Sequence, residues 1–338
     1  MNKVVLSAAA LMIGAIGFAQ NTSTVGQTGN GNQAAVDQNG TNSSVVSQEF
    51  TENIADVYQD GSNKSVVTQA GIVSEASGYL NQAYVRQFGD GNDSEVEQNG
   101  DENYTYVIQA FGDNNESDVL QGTQRAEYNS AIVKQFGSDN VSDVEQHNDN
   151  NVVFVKQWGD DNDVESYQNA RSGSTDGNSA SLTQIGSDNE IWNEQITDSR
   201  DNGAISNVSV VFQYGNDNDG ITRQYGDGNV ADMTQIGDDN RGIIRADGDD
   251  NYGYLKQWGD GNDSWHRAEG NGNMGMVFQF GNEDHSDLHQ VGDDNRAFVK
   301  QWGGSENYSN VQQNNDSNIS WTFQNGSGNV SNVTQSSL

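Results

Sequence analysis

Apolar and amide residues alternate with a period of two along nearly the whole chain. About every 11 residues the alternation is broken by a short cluster of glycine, aspartate and asparagine. In Asn92-Asp-Ser-Glu-Val-Glu-Gln98 the Asn, small, Val and Gln residues fall at i, i+2, i+4 and i+6. After Asn-Gly-Asp-Glu the pattern begins again as Asn103-Tyr-Thr-Tyr-Val-Ile-Gln109. Period-two alternation predicts a strand with those four side chains on one face. The Gly-x-x clusters predict turns, because Gly, Asp and Asn tolerate positive φ. The Gln anchor recurs from Gln27 to Gln335, with Ala246 and Ala268 in its place twice, which makes 27 arcs.

Strands of seven and turns of four, repeated without a helical stretch, predict an all-β β-solenoid. Two arcs make a coil of about 22 residues, and coils stack in register about 4.8 Å apart. The 27 arcs then give about 13 coils and a rod on the order of 60 Å long. Equivalent Val residues stack on Val, Gln on Gln and Asn on Asn. Primary amides carry both donors and acceptors, so a complete ladder can be buried at little cost. The candidate ladder residues are Gln87, Asn92, Gln98, Asn103, Gln109, Gln135, Gln157, Asn162, Gln213, Gln235, Gln257, Gln279 and Gln301. Ala246 and Ala268 fall next to each other on one ladder, which predicts a local weak point.

Outward residues differ between alternate arcs. One set is acidic or polar, as in Asp93, Glu95 and Glu97. The other is apolar with basic ends, and is expected to expose an aromatic stripe that includes Tyr104, Tyr106, Phe154, Trp158, Tyr254, Trp258, Phe298, Trp302 and Trp321. Such a stripe serves cross-strand packing, a lateral contact between solenoids, or an adhesive surface. On the acidic face Asp219, Arg241 and Asp263 are 22 apart and should stack as an alternating charge ladder. Extra residues at 70–81, 122–129, 169–178 and 196–207 all follow arcs of the acidic set, so they should bulge from one edge.

Composition narrows the function. The chain has 338 residues, only 32% of them apolar, no Cys, no Pro and a formal charge of -34. Disulfides, thiol catalysis and thiolate metal sites are excluded. The charge argues against nucleic acid and anionic lipid as partners. Residues 1–19 have the pattern of a secretory signal: Lys3, an apolar run from Val4 to Ile16, and Gly17-Phe18-Ala19 before Gln20. No other stretch is long and apolar enough to insert in a membrane. The repeat domain is expected to fill residues 21–338, with no helical or Pro-rich cap at either end. Uncapped coils leave open strand edges for the next chain.

Rival chemistries are thin. Loops such as Gly89-Asp-Gly-Asn92, Gly159-Asp-Asp-Asn162 and Gly237-Asp-Asp-Asn240 offer hard oxygens for calcium, but lack the nine-residue period of calcium β-rolls. His285 and His289 lie about 13 Å apart on an extended strand and flank Asp287, too far to share one ion. The carboxylates are spread by the repeat and form no unique pair for a glycosidase-like or lyase-like solenoid. No enzyme and no cofactor are expected. A monomeric secreted adhesin or a calcium-binding β-solenoid is the alternative to a fibre subunit.

The segment Gln87-Phe-Gly-Asp-Gly-Asn92-Asp-Ser94-Glu-Val-Glu-Gln98 resembles the curlin repeat, whose unit runs Ser-x5-Gln-x-Gly-x-x-Asn-x-small-x3-Gln. Asn151 to Gln157, Asn229 to Gln235 and Asn295 to Gln301 repeat its later half, and the resemblance covers nearly all of 21–338. It implies a secreted structural subunit that self-assembles into extracellular curli-like amyloid fibres of a biofilm matrix and serves in adhesion. It also implies a nucleator subunit and an outer-membrane export pore as partners. The repeat amides would then drive assembly. The array departs from the family in its number of coils and in its inserted loops. Major subunit, nucleator and non-fibrous relative all stay open.

Overall fold

A computed structural model describes residues 20–71, 79–170, 177–197 and 206–336, and in them the chain forms 25 strands and no helix. Every strand pairing is parallel and joins equivalent positions of successive coils, as in Val152↔Ser130 and Gln157↔Gln135. The anticipated signal at 1–19 lies outside the described residues.

The strands form two facing ladders. The acidic sheet contains β1 (Thr22–Asn30), β3 (Ser43–Thr51) and the second halves of β4 (Ile54–Ala70) and β5 (Gln82–Asp101). It continues through β7 (Glu116–Glu127), β9 (Val141–His147), β11 (Asp163–Asn169), β13 (Glu190–Ile196) and β15 (Asp219–Tyr225). It ends in β17 (Arg241–Asp247), β19 (Asp263–Glu269), β21 (His285–Val291), β23 (Tyr308–Asn314) and β25 (Val330–Ser336). The aromatic sheet contains β2 (Gln33–Gly40), the first halves of β4 and β5, β6 (Tyr104–Ala110), β8 (Ser130–Phe136), β10 (Val152–Trp158) and β12 (Ser179–Ile185). It continues through β14 (Val208–Tyr214), β16 (Val230–Ile236), β18 (Tyr252–Trp258), β20 (Met274–Asn282), β22 (Arg296–Ser305) and β24 (Ile319–Asn325).

Between the sheets runs a thin core, one side chain deep from each face. Val57, Val85, Val107, Val133 and Val155 are buried on the aromatic side, and Val67, Val96, Val119, Val144 and Val164 on the acidic side. The flanking inward positions are small residues and the amides of Gln and Asn, almost all fully buried in the middle coils. Pure Val would bury more apolar area, but the short strand leaves no room for a thick core. Stacked amides close the two ends of each arc instead.

The turns explain much of the acid. In Gly159-Asp-Asp161-Asn162 the φ angles are +125° at Gly159 and +56° at Asp161. A Cβ on Gly159 would stand 2.0 Å from the carbonyl oxygen of Gly186 in the next coil, so only glycine fits. The residue between is an acceptor: Asp160 Oδ1 takes the Ser138 N–H of the preceding coil at 2.8 Å. The same bond joins Asp238 to Asn216, Asp260 to Asp238 and Asp293 to Asn271. These four turn carboxylates each satisfy a backbone donor of the preceding coil.

All four insertions leave an acidic-sheet strand and enter an aromatic-sheet strand, so they share one edge of the solenoid. At 122–129 the added residues are absorbed by a register shift that sets Ala126 opposite Gly100. The other three contain residues 72–78, 171–176 and 198–205, which lie outside the described residues.

Candidate assembly surfaces

The amide ladders are directional, and the Gln ladder of the aromatic sheet is unbroken from Gln87 to Gln324. On the aromatic sheet each Gln Nε2 donates to the Gln Oε1 one coil further on. The distances are 2.8 Å for Gln87 to Gln109, 2.9 Å for Gln109 to Gln135 and 2.9 Å for Gln135 to Gln157. Further along they are 2.9 Å for Gln213 to Gln235, 2.9 Å for Gln235 to Gln257, 3.0 Å for Gln257 to Gln279 and 3.1 Å for Gln279 to Gln301. Gln98 stands on the other ladder and donates to Gln121 at 2.9 Å. The Asn ladders point the opposite way: the Nδ2 of Asn103 donates to Asn81, and that of Asn162 to Asn140. Asn92 does the same toward Asn63. Each amide also binds backbone. Gln157 Nε2 reaches the carbonyl oxygens of Val141 at 2.7 Å and Asn162 at 2.8 Å.

The ladder on the acidic sheet breaks once, where Gln224, Ala246, Ala268 and Gln290 are successive partners. His266 lies fully buried beside the gap, with Nε2 3.4 Å from Gln290 Oε1, the acceptor a Gln at position 268 would have used. Burial lowers its pKa to about 4, so the ring is neutral at pH 7. Sequence reasoning located the two alanines and missed the histidine that fills in for them. In the Asn ladder Asp284 takes one place. Its Oδ1 accepts both Asn307 N–H groups, at 3.0 and 2.8 Å, and burial raises its pKa.

On the aromatic sheet the named rings all point outward, but they are not uniformly exposed. Trp158, Trp258 and Trp321 are more than half exposed. Tyr104, Tyr106, Phe154, Tyr254, Phe298 and Trp302 are only half-exposed, because rings and long stems of adjacent coils cover them. Tyr254 packs on Phe278, Phe278 on Phe298, and Phe298 on Trp321, with centroids 5.2, 5.3 and 5.4 Å apart. Lys156, Lys256 and Lys300 lie over the rings of Trp158, Trp258 and Trp302 at 5.3, 5.7 and 5.0 Å.

The acidic sheet carries its charge unevenly. At the three central outward columns of β5 to β13 stand Asp93, Glu95, Glu97, Glu116, Asp118, Asp143, Glu145, Asp163, Glu165, Glu190 and Glu194, and no Lys or Arg. Burial and then its acidic neighbours push the Asp118 carboxyl up to about 6. Burial also raises Asp143, Asp163 and Glu190. The expected ladder of Asp219, Arg241, Asp263 and the following His285 is in register. It resolves into two pairs: Arg241 to Asp219 at 3.2 Å and His285 to Asp263 at 3.2 Å. His289 pairs with Glu269 at 3.1 Å, so the two histidines of β21 face different carboxylates. Among the described residues no cluster of three His, Cys, Asp or Glu could hold a metal ion, and no helix is long and apolar enough to cross a membrane.

The geometry is that of a structural repeat, a parallel two-sheet β-solenoid closed by amide ladders. Four segments, residues 77–100, 95–122, 215–244 and 270–303, match the curlin associated repeat of the curlin repeat family. No curated protein matches the chain. The family is a structural one rather than enzymatic, and it suggests a curli-like extracellular subunit.

Proposed function

We propose that the chain is a secreted subunit that stacks into curli-like amyloid fibres of a biofilm matrix and serves in adhesion. The observation that supports this most directly is the direction of the ladders. In the amide-to-amide bonds of the ladders Gln donates one way along the axis and Asn the other, so the two ends of the described array differ. At one end Gln38 offers Oε1. At the other Gln324 Nε2 has only the Tyr308 carbonyl. These ends complement each other head to tail, and the end strands add the parallel backbone bonds of a cross-β contact. The ladder residues from Gln87 to Gln301 would carry that contact through the fibre. Residues 1–19 act as the secretory signal, with passage through the periplasm and an outer-membrane pore, and a nucleator subunit starts growth.

The test is refolding of residues 20–338 from denaturant, followed by thioflavin T and electron microscopy with and without seeds. Lag-phase growth, seeding and a meridional reflection at about 4.7–4.8 Å are expected. A persistent β-rich monomer that ignores seeds would overturn the reading in favour of a monomeric adhesin. Dependence of that monomer on calcium would indicate a calcium-binding solenoid.

A further inference from the structure

Charge is absent from both ends of the array. Residues 20–36 and 317–338 contain no Asp, Glu, Lys or Arg, in a chain that is 19% charged. Like charges stacked on neighbouring strands repel, so the two end coils are where a second copy meets least repulsion. The last coil is also apolar on its outside. Ile319, Trp321, Phe323 and Val330 are all more than half exposed, because no further coil covers them.

The number of arcs constrains how such a copy can sit. The 27 arcs are an odd number, so β1 and β25 both lie on the acidic sheet. Along a two-sheet solenoid successive arcs alternate between the sheets. At a head-to-tail join the order is β24 aromatic, β25 acidic, then β1 and β2 of the next copy. If the next copy kept its faces aligned, its β1 would lie on β25 and its β2 one arc further on. That β2 would then stand two strand spacings, about 9.6 Å, from β24, with a strand-wide gap between them. The facing edge of β24, seven residues long, and that of β2 would both lose their backbone partners inside the fibre.

We infer that successive copies are turned half a turn about the axis, so that β1 of one copy continues the aromatic ladder on β24 and β2 continues the acidic ladder on β25. This rests on the fibre reading above, with residues 20–338 as the stacking unit. No strand place is left empty, and the inward positions match. Gln27 follows Gln324 and Gln38 follows Gln335. Among the described residues Gln324 Nε2 and Gln335 Nε2 reach only the carbonyl oxygens of Tyr308 and Ile319. Gln27 and Gln38 already donate to Gln48 and Gln59, which leaves the Oε1 of each as an acceptor. Asn21 follows Asn318, Asn32 follows Asn329, and Val36 follows Val333. Outside, Thr22, Thr24 and Gly26 meet Ile319, Trp321 and Phe323. Gly26 has open space around it, which leaves room for the Phe323 ring. Asp37 meets Thr334, and no two charges face each other across the join. The half turn also sets the acidic stretches of β5 to β13 in neighbouring copies on opposite sides of the fibre, which lengthens the distance over which they repel.

The chain has no Cys, so an introduced pair reports on the join directly. With the half turn, Thr22 is the register partner of Ile319 in the preceding copy, about 4.8 Å away, a separation that a disulfide spans. Val330 then lies across the core, about 10 Å off and out of reach. With aligned faces Val330 is the partner and Ile319 is out of reach. Residues 20–338 carrying T22C/I319C or T22C/V330C are grown into fibres under reductant, oxidised, dissolved in denaturant without reductant and sized. T22C/I319C should give dimers and longer cross-linked chains, and T22C/V330C about tenfold less. Thioflavin T growth of both should stay within about twofold of wild type. The reverse pattern, equal yields, or no cross-link in either while fibres form overturns the half turn and leaves the fibre reading standing. If wild type forms no fibres, the fibre reading fails and this inference falls with it.

Discussion

Two stretches of the solenoid reach the same backbone with different cores. From β5 to β13 the inward residues are mostly Ser, Thr or Ala, then Val, then Gln. From β15 to β21 they change. Gly220, Gly242, Gly253 and Gly275 hold the small position, the Val position carries Met233, Ile244, Leu255, His266 and Leu288, and Ala replaces Gln twice. A Cβ on Gly275 would stand 2.1 Å from His266 Nε2 and 2.7 Å from Leu288 Cδ2, and one on Gly253 would stand 2.5 Å from Ile244 Cγ2. Volume removed at one position is returned at the next, so core density is kept while residue identity is not. Register is thus held by the backbone and the Asn turns, with the Gln ladder as one of two interchangeable supports.

The largest contrast should come from cutting the ladder in each stretch. Gln157→Leu removes the donor to Gln184 Oε1 and to two backbone carbonyls, leaving buried acceptors unpaired. It should cost roughly 3 kcal/mol or more. Gln224→Leu has no Gln beyond it to orphan and should cost about 1 kcal/mol less. Urea midpoints of the refolded chain give both numbers, and equal losses would erase the distinction.

Acid should separate the stretches by sign. The pKa of His266 is depressed from 6.5 to about 4, so its contribution is complete above pH 6.5 and is lost as pH falls through 4, about 3 kcal/mol in all. The pKa of Asp118 is raised from 3.8 to about 6, so its charge opposes folding above pH 6 and that opposition fades as pH falls toward 3.8. Hydrogen exchange corrected for intrinsic rates should slow in β7 to β11 and quicken in β19 and β21 between pH 7 and 4.5. His266→Leu should remove the second change.

A smaller loss, about 2 kcal/mol, is expected for Gly275→Ala, because the added methyl meets His266 and Leu288. The same substitution combined with His266→Val should recover most of it in thermal melts. The smallest is Arg241→Gln. Its ion pair with Asp219 is about half exposed, so the change should stay below about 1 kcal/mol and shrink further in salt.

Period, strand count and the pairing of equivalent residues were legible because a 22-residue repeat repeats its physics. Val on Val and Gln on Gln require nothing beyond the spacing. The edge shared by the insertions was legible for the same reason. The half-covered state of Tyr104 or Phe298 was not, since it depends on which rings adjacent coils supply. The role of His266 was hidden because the residue that completes the Gln ladder sits two positions away from Ala268 in the chain. The stacking of Arg223, Arg245 and Arg267 was missed because they belong to a different outward column from Asp219, Arg241 and Asp263, the one the repeat made conspicuous.

The turn carboxylates that cap each neighbour's N–H have a further effect. They string fixed charge along the edges of a narrow rod. A net -34 over about 60 Å is roughly one charge per 2 Å, the same order as the line density of duplex DNA at about 1.7 Å. At that density counterions condense, and a mesh of such rods holds an osmotic excess of ions and therefore water. In the fibre proposed above, the acceptor that satisfies a backbone amide would also make the polymer a swelling polyelectrolyte gel, firmed by multivalent cations and loosened by their removal.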